Sequence, residues 1–146
     1  MNKTLKTLKQ DLVFLNDNYK TKFRHGKTKL GPYLSCEIRV NKKTTVEWRF
    51  TLYEKNHFLS ASLIYRKHAR KNIQDKKFYF SEITKGKSIP GLDKHAHTKL
   101  SEELGFKEEQ GKIHSTKSPD QLAEIYENII RNNIDPVVKH SNTVFK

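Results

Sequence analysis

Tyr33-Leu34-Ser35-Cys36-Glu37-Ile38-Arg39-Val40 and Val46-Glu47-Trp48-Arg49-Phe50-Thr51-Leu52-Tyr53 each alternate between two residue classes without a break. Successive side chains on a strand point to opposite faces, so alternation of this kind describes a strand with one buried side and one wet side. Asn41-Lys42-Lys43-Thr44 joins the two runs, and two alternating runs across a short polar connection make a β-hairpin. A third run over residues 58–66 and a shorter one over 77–83 extend the pair to an antiparallel sheet of three to four strands. Its buried side would hold Leu34, Ile38, Val46, Trp48, Phe50, Leu52, Leu59 and Leu63.

Upstream of the hairpin, Leu5, Leu8, Leu12, Leu15 and Tyr19 fall at alternating spacings of three and four. That stripe predicts an amphipathic helix over 3–20. The stripe is too short for a self-sufficient coiled coil. It either packs on its own domain or, if it is not core, forms the surface for a partner protein or a second copy. Residues 20–29 carry Lys20, Lys22, Arg24, His25, Lys27 and Lys29 around Gly26, with Gly31-Pro32 after them, and read as a basic loop.

Downstream, Ser118-Pro119-Asp120-Gln121 has the form of a capping box with proline at the first helical position. Leu122, Ile125, Tyr126, Ile129 and Ile130 then mark one apolar face as far as Asn133, and Pro136 should end that helix. A weaker helix is expected over 94–104, stopped by Gly105. The expected whole is α+β: an N-terminal helix, an antiparallel sheet, and C-terminal helices packed on one sheet face. One domain would span 1–146. Its parts are a helix and basic loop (1–30), the sheet region (31–90), a helical region (91–135) and a tail (136–146), either a docked strand or frayed.

Charge is distributed unevenly over that plan. Residues 1–90 hold 21 Lys and Arg against 7 Asp and Glu, a net of +14, while residues 91–146 sum to −1, giving the chain its +13. A one-sided cationic excess concentrates polyanions, and the commonest is nucleic acid. The expected contacts are Lys20, Lys22, Arg24, Lys27 and Lys29 in the first basic segment and Arg39 and Arg49 on the sheet. Arg66, Lys67, Arg70, Lys71, Lys76 and Lys77 follow in a second block over 66–77, which holds one acid, Asp75. Tyr33 and Tyr53, outward on the same strands, could stack on exposed bases.

Little else in the chain points to chemistry. His95-Ala96-His97 would suit two metal ligands on a strand, as in single-strand nickases with a tyrosine nucleophile, for which Tyr126 is the candidate. The surrounding pattern is helical, where positions i and i+2 diverge, and Tyr126 sits among core positions. No Glu-x-Lys triplet is present for a two-carboxylate nuclease, and no glycine loop is present to cradle phosphate. Catalysis, a metal and a cofactor are therefore not expected. Cys36, the one cysteine, reads as a small core residue in a cytoplasmic protein. No run approaches the ~18 apolar residues of a membrane span.

Gly31-Pro32-Tyr33-Leu34, followed by Arg39 and Glu47-Trp48, resembles the start of the β region in MobI-like mobilisation proteins, small accessory proteins of conjugative elements that act with a relaxase at the origin of transfer. The N-terminal helix and a helical end bearing Glu124 and Arg131 suit the same layout. The resemblance implies a DNA-processing accessory role without catalysis, DNA rather than RNA as partner, and contact with a DNA-processing protein. The alternative is a small inhibitor, of the kind phages encode, that binds an acidic surface of a nucleic-acid enzyme.

Overall fold

The computed structural model describes residues 2–109 and 112–145, with the side chains of Thr84, Glu108 and Glu109 left aside. Helix α1 (Lys3–Leu12) runs into a 3-10 segment (Val13–Asp17). Five strands follow: β1 (Lys20–Lys27), β2 (Pro32–Arg39), β3 (Thr44–Tyr53), β4 (Phe58–His68) and β5 (Ile73–Tyr79). They form an antiparallel meander in which each strand pairs with the next in the chain. A 3-10 segment (Phe80–Lys85), helix α2 (Lys94–Glu103), a hairpin of β6 (Phe106–Glu109) and β7 (Lys112–Ser115), and helix α3 (Pro119–His140) complete the chain. The α+β architecture is as expected, with five strands in place of three to four.

The added strand is β1. The stretch expected as a basic loop is the sheet's outer edge, paired from Lys20 opposite Arg39 to Lys27 opposite Pro32. Thr21, Phe23 and His25 share one side and Lys20, Lys22 and Arg24 the other, with Phe23 packed against the core. An edge strand needs few apolar contacts, and lysines keep other chains from adding to it. The last strand is also shifted: β5 begins at Ile73, and residues 80–85 leave the sheet as a 3-10 turn.

One side of the sheet is covered. Register aligns Ile38 with Val46 and Val46 with Tyr65, Cys36 with Trp48 and Trp48 with Leu63, and Leu34 with Phe50 and Phe50 with Ala61. All of these are buried. Phe80 lies edge-on to both Trp48 (5.9 Å) and Tyr126 (5.5 Å), which ties the 3-10 turn to the helical layer. The Tyr126 hydroxyl donates to the Leu59 carbonyl and the Tyr65 hydroxyl to the Val137 carbonyl, fastening α3 at both ends.

The α1 stripe packs on its own domain, the first of the two expected arrangements. Leu5, Leu8, Leu12 and Leu15 are at most 2% exposed and belong to the same core as Trp48. Tyr19 is half-buried, and its hydroxyl donates to Asp135 of α3. Burial, then the Asp135 bond and charge, push that phenol up to about 12. The Thr4 hydroxyl bonds Asp120, and Arg131 donates to the Asp11 carbonyl while its guanidinium stacks 3.9 Å from the Phe14 ring centre. The two helices thus run parallel and close the layer together.

Pro136 does not end α3, and the first five residues of the expected tail, 136–140, are helix. The helix continues to His140 because Val137 and Val138 are buried beyond the proline, and Tyr65 satisfies a carbonyl of the last turn. The capping box at Ser118 and Gln121 is formed, and α2 stops at Glu103, two residues before Gly105, whose φ is 58°.

Candidate nucleic-acid interface

Among the described residues, no α-helix covers the other side of the sheet. By register, its residues are Lys20, Lys22 and Arg24 on β1; Tyr33, Ser35, Glu37 and Arg39 on β2; and Thr45, Glu47, Arg49, Thr51 and Tyr53 on β3. Strand β4 adds Phe58, Ser60, Ser62, Ile64, Arg66 and His68, and β5 adds Ile73, Asp75, Lys77 and Tyr79. The middle of this face is closed by its own side chains. Glu47 is 2% exposed and accepts from Ser35 Oγ (2.9 Å), from Arg49 Nε (2.7 Å) and from Arg66. Ile64 beside it is buried although it lies outside the main core.

That knot changes the roles of two expected contacts. Arg49 and Arg66 are not free phosphate ligands: both pair with Glu47, and Arg66 also reaches Asp75 at 3.4 Å. Burial alone would raise the Glu47 carboxyl, but the Arg66 hydrogen bond, the charges of both arginines and the Ser35 bond hold it below its usual 4.5. The pairs leave the centre neutral, two arginines against two carboxylates. Arg49 lies 5.5 Å from the Tyr33 ring centre and Lys77 lies 4.7 Å from that of Tyr79, so each ring is held by a cation.

Lys76 is a correction. It faces the helix side opposite Tyr65, donates to the Val144 carbonyl (2.7 Å) and lies over Phe145. Alternation along β5 separates it from Lys77. Lys67 is exposed at the end of β4, also by alternation on the helix side. Lys27 pairs with Glu54 at 3.7 Å. Arg39 folds back on the next turn, donating to the carbonyls of Asn41 (3.5 Å) and Lys42 (3.2 Å).

The remaining expected cations gather at one end. Lys20 opens β1 at the end where β2 closes with Arg39, and Lys22 and Arg24 follow. The β2–β3 turn places Lys42 and Lys43 there, and the β4–β5 turn places Arg70 and Lys71 there. The two turns are tied, since the His68 amide donates to the Lys43 carbonyl at 2.6 Å. Lys42 and Lys43 were legible only as a polar connection; nothing in the sequence brings that turn beside residues 69–72. A cleft of about 570 Å³ opens here, lined by Tyr19, Lys20, Lys22, Arg24, Glu37 and Arg39.

At the opposite end the β6–β7 hairpin folds over the face, with Phe106 edge-on to Phe58 at 5.5 Å. Between hairpin and sheet lies a larger groove of about 1050 Å³. Lys27 and Lys29 line it, away from the expected contacts at the other end.

The catalytic alternative loses its geometry. His95 and His97 sit on α2, not on a strand. The His97 Nε2 accepts from the Ile89 amide (2.9 Å), so Nδ1 carries the hydrogen that faces the Asp93 carbonyl (2.9 Å). Tyr126 is fully buried with its hydroxyl engaged. Cys36 is buried, and burial, then the Glu47 charge, push its thiol up to about 12. Among the described residues no group of three or more His, Cys, Asp or Glu could hold a metal ion, and no helix is long and apolar enough to cross a membrane.

Comparison of the chain with protein-family models, with curated proteins and with solved structures finds no match. Function is therefore argued from geometry and charge.

Proposed function

We propose that this chain is a cytoplasmic, non-enzymatic nucleic-acid-binding protein whose contact surface is the open sheet face and the basic rim at one end of it. The observation that carries this reading is the rim. Lys20, Lys22, Arg24, Lys42, Lys43, Arg70 and Lys71 are exposed and come from three separate segments that meet at one end of the sheet, where the first three line a cleft. Among them only backbone ties are seen, with no ion pair among the described residues. Unpaired cations from distant segments at one place are suited to a chain of phosphates.

DNA is favoured over RNA, and a place beside a DNA-processing enzyme is favoured for the partner, by the likeness to MobI-like proteins. Of the residues that carry it, Leu34 and Trp48 are core, and Glu47 is the carboxylate under the two arginines. Gly31 stands where a Cβ would meet the Leu52 carbonyl at 1.9 Å. The likeness thus speaks for a shared hairpin, and the role in DNA transfer follows from that alone.

The test is binding of a labelled DNA as a function of salt. Neutralising about six phosphates gives a log–log slope near −5 on duplex and near −4 on single strands. Replacing Lys20, Lys22 and Arg24 by alanine should make the slope shallower by two to three units without unfolding, since all three are exposed. A slope near zero for the unaltered chain overturns the reading. An acidic protein surface would use the same cations, and a chain that binds no bare DNA or RNA but captures such a protein favours that alternative.

A further inference from the structure

The groove at the far end from the rim has a composition that charge alone does not explain. Its floor carries Tyr53, Phe58 and Tyr79, and its walls carry Lys29, Lys55 and Lys112. The two acids that line it among the described residues, Glu54 and Glu82, are each occupied, by Lys27 at 3.7 Å and Lys87 at 2.7 Å. Lys29 and Lys55 have no acidic partner among the described residues. Rings below and unpaired ammonium groups above are the two elements a nucleotide requires, one for its base and one for its phosphate. At about 1050 Å³ the groove stands at the top of the range for small-ligand clefts and has room for more than one nucleotide.

Tyr53 and Tyr79 belong to the open face by register, so the groove is a continuation of it. From the Lys20–Arg39 pair to the Lys27–Pro32 pair is seven residues, about 23 Å along the strands. We infer that the ligand is single-stranded nucleic acid, its backbone entering at the rim and its unstacked bases lying on Tyr53 and Tyr79 in the groove. This rests on the nucleic-acid reading and narrows it. In a duplex each base face is covered by the next base pair, so the rings would gain nothing. A strand with free bases uses both the rings and the lysines.

The experiment compares a 12-nucleotide mixed-sequence strand with the duplex of the same sequence, by fluorescence anisotropy on the full chain. Three forms are needed: the unaltered chain, Tyr79→Ala, and Lys29→Ala/Lys55→Ala/Lys112→Ala. Tyr79 is 37% exposed on the outer strand and the lysines are exposed, so each variant keeps the core. The single strand should bind at least 10-fold tighter than the duplex. Tyr79→Ala should weaken the strand at least 3-fold and the duplex less. The lysine variant should weaken the strand at least 5-fold. Equal affinity for strand and duplex, no loss in either variant, or equal competition by polyglutamate of matched charge overturns the inference. In those cases a binding loss on Lys20→Ala/Lys22→Ala/Arg24→Ala still upholds the broader reading. Failure of both DNA forms to bind overturns both.

Discussion

Glu47 is the residue on which the open face is organised. It is buried, it neutralises two arginines at once, and its usual carboxyl value of 4.5 is lowered by them despite the burial. A carboxyl with a depressed folded value stabilises the fold above its unfolded value and loses that contribution as pH falls through the folded one. Acid unfolding, followed by fluorescence of Trp48, the only tryptophan, should therefore steepen below about pH 4.5. In Glu47→Gln the neutral pH stability should drop by about 3 kcal/mol, because two half-buried guanidiniums lose their counter-charge. The steepening should shrink in the same variant. A variant as stable as the unaltered chain at pH 7 would show that the knot is ornamental. The alternation of β3 revealed that Glu47 faces away from Trp48, but not that Arg66 reaches it, since that contact spans 19 residues and depends on the β3–β4 register.

At the scale of elements, α1 illustrates what periodicity can and cannot decide. Its leucines fall where a helix stripe should, and the helix forms, yet spacing is the same for a stripe facing its own sheet and one facing a partner. The deciding contacts, Thr4 with Asp120 and Tyr19 with Asp135, each lie 116 residues apart and leave no trace in the local pattern. Leu8→Ala should cost about 2–5 kcal/mol in chemical denaturation, as a buried core leucine does, and a loss under 1 kcal/mol would return the stripe to the surface. Strand β1 was missed for a related reason. Its alternation is carried by Thr21, Phe23 and His25, only one of them strongly apolar, because an edge strand can hold its place with cross-strand hydrogen bonds. Pro136 misled in the other direction: a proline costs a helix one hydrogen bond, and tertiary burial of Val137 outweighs that loss. The hairpin β2–β3 was legible in full because both of its faces were decided locally.

For the molecule as a whole, charge is ordered along the strands: a cationic rim at one end, a neutralised centre and an aromatic groove with lysine walls at the other. The block over 66–77, which looked uniform in sequence, is divided by the fold among the face, the turn and the helix side. Replacing Lys42, Lys43, Arg70 and Lys71 together by alanine should therefore make the salt slope of DNA binding shallower by about three to four units. Thermal unfolding should be unchanged, since all four are exposed in turns. An unaltered slope would clear the two turns of the role. The helical layer has a further consequence for biosynthesis. A ribosome releases α1 and the meander well before α3, with Trp48, Phe50 and Tyr65 all turned to a side that only α1 can begin to shield. Until α3 emerges, the nascent polypeptide carries an oily sheet with half a roof, and that interval is when a chaperone has something to hold.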